Sequence, residues 1–259
     1  MTIKNISDYL EEIAPLNQAE DFDNVGLLIG NETTEGEGIL VTLDTLEETV
    51  EEAIKKKCNL IVSFHPIIFS GLKKINGNSY VEKVVLKAIQ NNIAIYATHT
   101  ALDNSKVGVS AKMCEKLGLI NYNILLPKED GNTGMGMIGD LPKPMQEEDF
   151  LKFTKKTFKT NGIRFSNPTG NLVNKVAVLG GSGSFAIADA IHKKADVYIS
   201  ADFKYHDFFK AEGKILLIDV GHYESEQFTK NLLVEYLTKK FTSFAIILSE
   251  KSTNPIYYL

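Results

Sequence analysis

The chain alternates short β-rich apolar runs with longer amphipathic segments, a pattern typical of α/β proteins in which most strands are parallel. The apolar runs predict strands at 38–43 (GILVTL), 59–63, 93–97, 135–141, 175–179, 196–200, 214–220 and 243–248. The amphipathic segments predict helices at 6–13, 46–57, 80–91, 109–117, 146–159, 184–193, 203–210 and 224–240. In the last helix, one apolar stripe should pack on a sheet: Phe228, Leu232, Leu233, Tyr236 and Leu237.

The length of the chain favours one large or two modest domains, since 259 residues exceed the typical domain of about 150 residues. The clearest change in composition is the segment 128–134 (KEDGNTG), which Pro142 and Pro144 follow. We interpret it as a hinge between lobes. The predicted fold class is therefore α/β, with two α/β lobes, mixed and mostly parallel sheets, and a metal site in the cleft between them. The predicted bounds are 1–127 for the first lobe, completed by the C-terminal segment 219–259, and 128–218 for the second lobe.

The composition is that of an ordinary globular protein, with 44% hydrophobic and 24% charged residues. A net charge of −5 and a single arginine, Arg164, argue against a general electrostatic attraction to nucleic acid or to an anionic membrane. Cys58 and Cys114 match no metal or redox spacing and are interpreted as buried thiols in a reducing compartment. No apolar run approaches the roughly 18 residues of a membrane span, so we expect a cytoplasmic protein.

Two glycine-rich segments are candidates for ligand binding. The segment 134–139 (GMGMIG) satisfies the dinucleotide pattern but lies within a predicted strand and precedes prolines, so it lacks the strand-to-helix context of that fingerprint. The segment 179–184 (LGGSGS) does connect a strand to a helix. It could bind an anion through its backbone N–H groups, or form a tight turn capped by Ser182 or Ser184.

Four of the five histidines lie at or just beyond the carboxyl ends of predicted strands, where open α/β sheets bind their ligands. These are His65, His99, His206 and His222. His192 lies within a lysine-rich helix and is interpreted as a solvated surface residue.

Carboxylates accompany two of these histidines. Asp103 comes four residues after His99, and Glu226 four residues after His222. If a helix begins near residue 222, His222 and Glu226 lie on one face and can bind one cation. A ligand set of histidine, aspartate and glutamate suits zinc, iron or manganese. The alternative is that these groups only pair with one another in a polar cleft.

Three further positions are candidates for a functional or a structural role. The segment 201–207 (ADFKYHD) places Lys204 and His206 within one turn, which suits acid–base chemistry or phosphate binding, or it is a helix start capped by Asp202. Asp44 is either the N-cap of the next helix or a carboxylate that orients a ligand histidine. The segment 23–26 (DNVG) is interpreted as a turn.

Six segments in order along the chain resemble the Nif-three-like family, also known as dinuclear metal centre proteins or GTP cyclohydrolase type IB homologues. They are DNVGL (23–27), VSFHPIIFSGLKKI (62–75), YATHTALDNS (96–105), GGSGSF (180–185), SADFKYHDFF (200–209) and DVGHYESEQ (219–227). The resemblance implies a two-lobed α/β subunit, a toroidal homohexamer, and two divalent metals in a cleft. The family's ligands are two adjacent histidines, an aspartate, and a later histidine and glutamate. The corresponding residues here are Phe64 and His65, Asp103, His222 and Glu226.

Phe64 departs from this family pattern, because a phenyl ring cannot donate an electron pair to a metal. The sequence therefore predicts an asymmetric or mononuclear centre with one or two metal ions per subunit. His99 is a nearby imidazole that could compensate.

The resemblance implies a metal-dependent hydrolase that acts on a small molecule, such as a purine nucleotide of the GTP kind. In this hypothesis the metal ligands are His65, Asp103, His222 and Glu226, protons move through His99 or His206, and Lys204 contacts a substrate phosphate. The competing hypothesis is a non-catalytic metal-binding or protein-interaction module in which Phe64 has cost the chain its activity. Nucleic-acid binding is disfavoured by the net charge.

Overall fold

The computed structural model describes residues 1–259, which form nine α-helices and eleven β-strands with three short 3-10 segments. The helices are α1 (Ile3–Leu10), α2 (Glu47–Lys55), α3 (Tyr80–Gln90), α4 (His99–Asp103), α5 (Val109–Leu117), α6 (Glu147–Thr157), α7 (Ile187–His192), α8 (His222–Glu226) and α9 (Thr229–Lys240). The strands are β1 (Gly26–Ile29), β2 (Ile39–Thr42), β3 (Leu60–Ser63), β4 (Ala94–Ala97), β5 (Ile120–Pro127), β6 (Gly134–Gln146), β7 (Arg164–Phe165), β8 (Leu172–Ser182), β9 (Val197–Ala201), β10 (Leu216–Asp219) and β11 (Ile246–Leu248). The 3-10 segments are Leu16–Gln18, Ser184–Ala186 and Tyr205–Ala211.

The chain divides into two compact units. The first contains residues 1–102 and 229–255, and the second contains residues 103–228 and 256–259. These bounds differ from those predicted from the sequence. The reason is that β5 pairs with β6, and α8 packs against β8 and β9, so both segments belong to the second unit.

The first unit is built on a five-stranded sheet in the order β1-β4-β3-β2-β11. All its neighbouring strands are parallel except β1 and β4. The strands β2, β3 and β4 are buried along their whole length, as parallel strands covered on both faces are. Helices α2 and α3 pack on this sheet through Val50, Val84 and Val85.

The second unit has a six-stranded sheet in the order β5-β6-β8-β9-β10-β7. Only β8, β9 and β10 are parallel to one another, so antiparallel pairs outnumber parallel ones here and the prediction of mostly parallel strands holds for the first sheet alone. The segment 128–133 joins β5 to β6 as the loop of an antiparallel hairpin. The prediction of a hinge at this segment was therefore wrong, because both of its flanks pair within one sheet. The predicted α/β fold class, with two mixed sheets, is confirmed.

The glycines of 134–139 have a structural purpose within β6. A Cβ atom on Gly139 would lie 3.0 Å from the carbonyl oxygen of Ile120 on the paired strand. The glycines thus permit close packing of β5 on β6. They lie within a strand that continues to Gln146, so they do not form the strand-to-helix turn that would bind a pyrophosphate.

Both cysteines are buried as free thiols, as predicted. None of the helices combines the length and the apolar character that a membrane crossing requires.

Candidate metal centre

In the first unit, His65 follows β3 by two residues and is oriented by a carboxylate. Its Nδ1 donates a hydrogen bond to Oδ1 of Asp44, at 2.7 Å. The other oxygen of Asp44 accepts a hydrogen bond from the hydroxyl of Thr253. Helix α2 begins at Glu47 and its N-cap position is Leu46, so Asp44 is not its N-cap. Of the two roles proposed for Asp44, orienting a histidine is the one that the structure shows.

These groups border a cavity of about 350 Å³ in the same unit, which Tyr80 and Pro255 also line. The Nδ1 hydrogen bond places the imidazole lone pair of His65 on Nε2, the atom through which a histidine with this arrangement binds a metal.

His99 follows β4 and has a carboxylate partner of its own. Its Nδ1 donates to Oδ1 of Asp23 at 2.7 Å, and the side chain of Asp23 is entirely buried. Burial opposes the charge on Asp23, yet hydrogen bonds from His99 and Thr100 outweigh it and lower its pKa to about 2. The DNVG segment therefore does more than turn the chain, because its aspartate holds a histidine.

Phe64 lies next to both histidines and is completely buried. Its ring centroid is 4.9 Å from that of His65 and 5.6 Å from that of His99. Position 64 therefore contributes a phenyl ring, which has no donor atom, to the surroundings of these imidazoles.

In the second unit, His222 and Glu226 lie one turn apart on α8, so the helix begins at the residue that the sequence analysis required. Nε2 of His222 lies 3.3 Å from Oε2 of Glu226, and Nδ1 donates to Asp202 at 2.6 Å. Burial opposes a charge on this imidazole, but its bonds to Asp202 and Glu226 raise the pKa of His222 to about 11. The hydrogen bond from His222 lowers the pKa of Asp202 to about 2. The raised pKa means that these carboxylates stabilise a positive charge, here a proton on the imidazole, next to Glu226.

The glycine-rich end of β8 makes room for this pair. A Cβ atom on Gly181 would overlap Oε1 of Glu226 and would lie 3.4 Å from Nε2 of His222. The backbone N–H of Gly181 donates to Ser225, and Ser182 donates to Asp202. Neither Ser182 nor Ser184 caps the following helix. At this segment the backbone passes close to the side chain of Glu226. Neither of the two roles predicted from the sequence, anion binding and a capped turn, includes this contact.

The only arginine stabilises the strand ends that carry these residues. Arg164 forms an ion pair with Asp219, whose carboxylate also accepts the backbone N–H groups of Phe203 and Gly221, each at 3.0 Å. This ties β7 and β10 to the segments on which Asp202 and His222 lie. Arg164 is therefore a structural cation.

The remaining predicted site residues lie elsewhere on these elements. Lys204 and His206 are exposed at the start of the 3-10 segment that follows Asp202, and Asp207 accepts the backbone N–H of Lys204. Asp202 does not cap that segment, since it holds His222 instead. Asp103 is half-buried at the end of α4. His192 is exposed at the end of α7, as predicted.

Sequence reasoning missed the role of two aspartates in this arrangement. The sequence predicts Asp23 as a turn residue and offers Asp202 as a helix cap, but each accepts a hydrogen bond from a histidine far along the chain. No local spacing predicts such pairs. The one signal was that each aspartate lies in a segment that resembles the family.

The donor groups of each unit fit a divalent cation. Histidines with a carboxylate on Nδ1 and a lone pair on Nε2 are typical of metal sites, where the carboxylate fixes the tautomer and raises the basicity of the ligand. Imidazole and carboxylate ligands together suit zinc, iron or manganese. The buried Glu226 supplies a negative charge that a cation would neutralise.

Residues 1–255 match the family described as Duf34/NIF3 (NGG1p interacting factor 3). A protein from Lactococcus lactis named GTP cyclohydrolase 1 type 2 homolog is 34% identical, over 97% of this chain and 98% of its own length. A protein of the same name from Clostridium acetobutylicum is 32% identical, over 87% of this chain and 85% of its own. The crystal structure of a Bacillus cereus protein related to NIF3 superimposes with a TM-score of 0.94 at 25% identity, covering 100% of this chain and 99% of that one. The chain belongs to the Duf34/NIF3 family.

Proposed function

We propose that this protein is a metal-dependent hydrolase that uses one or two divalent ions, of zinc, iron or manganese. The proposed ligands are His65, Asp103, His222 and Glu226. The observation that carries the proposal is the arrangement on α8, where a buried glutamate and an imidazole held by Asp202 face each other across 3.3 Å. A cation at this position would replace the proton that the metal-free pair requires.

A bound divalent ion supplies a water molecule of lowered pKa that can act as a nucleophile near neutral pH. Asp44 and Asp202 hold their histidines in the tautomer that leaves Nε2 for the metal. Lys204, exposed beside Asp202, is proposed to contact an anionic group of the substrate, and His206 to exchange protons with it. The relatives named as GTP cyclohydrolase homologs support a purine nucleotide such as GTP as the substrate.

The experiment has two readouts, metal content and turnover. The protein is reconstituted with each metal, incubated with GTP and with simple phosphoesters, and the products are separated by chromatography. We expect a ring-opened product from GTP. Glu226→Gln should lose both metal and turnover, because its side chain has nearly the same shape but no charge. His192→Gln, on an exposed helix end, should retain both.

Two results would contradict this proposal separately. Metal retained in full by Glu226→Gln would show that the ligand assignment is wrong. Absence of turnover with every metal, in protein that does bind metal, would remove the hydrolase and leave the metal site.

That second result would favour the other candidate, a non-catalytic metal-binding or protein-interaction module. The completely buried phenyl ring of Phe64 supports it, since the family pattern has a metal ligand at this position. A homohexamer is part of both candidates, and light scattering on the purified protein would test it through a mass of six chains.

A further inference from the structure

A row of four polar side chains crosses the end of the sheet in the first unit. Thr42 pairs with Ser63, and Ser63 with Ala97, so the residues two positions later lie at one level on three neighbouring strands. From β2 through β4, and then the loop that leads into β1, the row is Asp44, His65, His99 and Asp23. Two histidines thus lie side by side with a carboxylate on either flank.

Each imidazole in the row has the same hydrogen bond. Nδ1 of His65 donates to Asp44 and Nδ1 of His99 donates to Asp23, both at 2.7 Å. Asp23 is itself held, since it accepts the backbone N–H of Thr100 at 3.1 Å and the hydroxyl of the same residue. Both imidazoles are therefore fixed as the tautomer with hydrogen on Nδ1 and the lone pair on Nε2.

The backbone of His99 is strained to hold this position. Its φ angle is +24°, a region that residues other than glycine rarely adopt. The conformation is held by hydrogen bonds from its own N–H to Phe64, at 2.9 Å, and from the N–H of Thr98 to Ser63, at 3.1 Å. Such strain persists only where the surroundings enforce it, and it concentrates at functional sites.

The spacing of the two rings suits a shared ion. Two imidazoles on one tetrahedral ion, with metal–nitrogen bonds of about 2.1 Å, have ring centroids about 5.2 Å apart. The centroids of His65 and His99 are 5.4 Å apart, with an interplanar angle of 69°.

Phe64 packs against both rings but offers no lone pair. We propose that His99, oriented by Asp23, supplies the imidazole that Phe64 cannot, so that His65 and His99 bind one divalent cation together. Asp23 is then a positioning residue. This inference rests on the proposed metal dependence, and it replaces the role of His99 in proton transfer, because a metal-bound nitrogen has no lone pair for a proton.

The test measures metal binding alone, with cobalt(II) as the probe. The number of ions and their affinity are measured by titration and elemental analysis, and the visible absorption of cobalt reports its coordination. His99→Gln should lose one ion or weaken it by more than 100-fold. Asp23→Asn should weaken it by about 10–100-fold, as loss of a carboxylate behind a ligand histidine does. His192→Gln is the matched control and should bind as the unaltered protein does.

A second pair of measurements guards against misfolding. Phe64→His added to His99→Gln should restore the lost ion, since it returns an imidazole to the same surroundings. In the unaltered protein, nitrogen NMR should show the Nδ1–H tautomer of His99 before metal is added. When the protein is then saturated with zinc, the Nε2 resonance of His99 should shift, because this nitrogen binds the ion.

The outcomes separate this inference from the proposed function. If folded His99→Gln binds cobalt unchanged while Glu226→Gln does not, the inference is wrong and the proposed site stands. If His99→Gln loses an ion and Glu226→Gln loses none, the inference stands and the proposed ligand assignment of Glu226 is wrong. An Nε2 resonance of His99 that zinc leaves unmoved also overturns the inference.

Discussion

Replacing Gly181 with alanine should damage the proposed metal site while leaving the fold intact. Gly181 lies near the end of β8 with a φ angle of +70°, next to the glutamate of α8. The added methyl group would sit about 1 Å inside an ordinary contact distance of about 3.4 Å from Oε1 of Glu226. Either this carboxylate or the strand has to move.

Gly181→Ala has two unfavourable effects, a strained backbone and the contact with Glu226. A control variant at a second glycine distinguishes them. A left-handed backbone costs a non-glycine residue about 1 kcal/mol. Gly170 has a φ of +80° with no atom near its missing Cβ, so Gly170→Ala shares the backbone cost alone. Metal sites tolerate ligand displacements of only about 0.2 Å, so a shift of about 1 Å in Glu226 should weaken binding on the order of 100-fold.

Thermal unfolding with and without metal measures this loss. At a metal concentration of a hundred times the dissociation constant, binding stabilises the folded chain by about 2.7 kcal/mol, and a 100-fold weaker site retains about 0.4 kcal/mol. At about 2–4 °C per kcal/mol, the metal-induced rise in Tm should fall from about 5–10 °C to about 1 °C.

Each variant serves as its own reference, because its metal-free Tm already includes the strain. Gly170→Ala should keep the full metal-induced rise. The reasoning fails if Gly181→Ala keeps it as well, since Glu226 would then have no part in binding metal. It also fails if both variants lose it equally, since the loss would then not come from displacing Glu226.

Three further predictions follow from individual side chains. Glu226→Gln should remove most of the metal-induced rise in Tm, while His192→Gln leaves it unchanged; an equal effect of the two would refute the ligand assignment. The pKa of Asp23 is lowered to about 2, so its ionised form adds about 2 kcal/mol to the free energy of unfolding above about pH 4, a contribution lost as the pH falls towards 2. Urea unfolding of metal-free protein across this range should show a steeper loss than Asp23→Asn shows, and parallel curves would contradict it. Burial raises the pKa of the Cys114 thiol to about 12 and also raises that of Cys58, so neither should react with a thiol reagent until the chain is unfolded; rapid labelling of native protein would be the contrary result.

The pattern of the sequence was sufficient for the strands of the core and for β11 at one edge, but not for the other three edge strands. Each of the predicted strands has its counterpart. Most of them are buried parallel strands, which need a continuous apolar run that few other structures require. The strands β1, β5 and β7 were missed. All three pair antiparallel, and β7 has only two residues, so they are defined by their partners more than by their composition.

The same limit explains the error at residues 128–134. Gly131 and its polar neighbours indicate a change of direction, and a hairpin loop and a hinge between lobes have the same local chemistry. Only the pairing of β5 with β6, which joins residues on both sides of the loop, distinguishes them.

The sequence alone determined where the candidate histidines lie, since a histidine that follows an apolar β-run must lie at the carboxyl end of a strand. This placed His65, His99 and His222 correctly. Only the tertiary structure decided which carboxylate holds each imidazole, because Asp23 is 76 residues from His99 and Asp202 is 20 residues from His222. Hydrogen bonds between residues so far apart depend on strand order and register, and these are set by the packing of the whole sheet rather than by any local pattern.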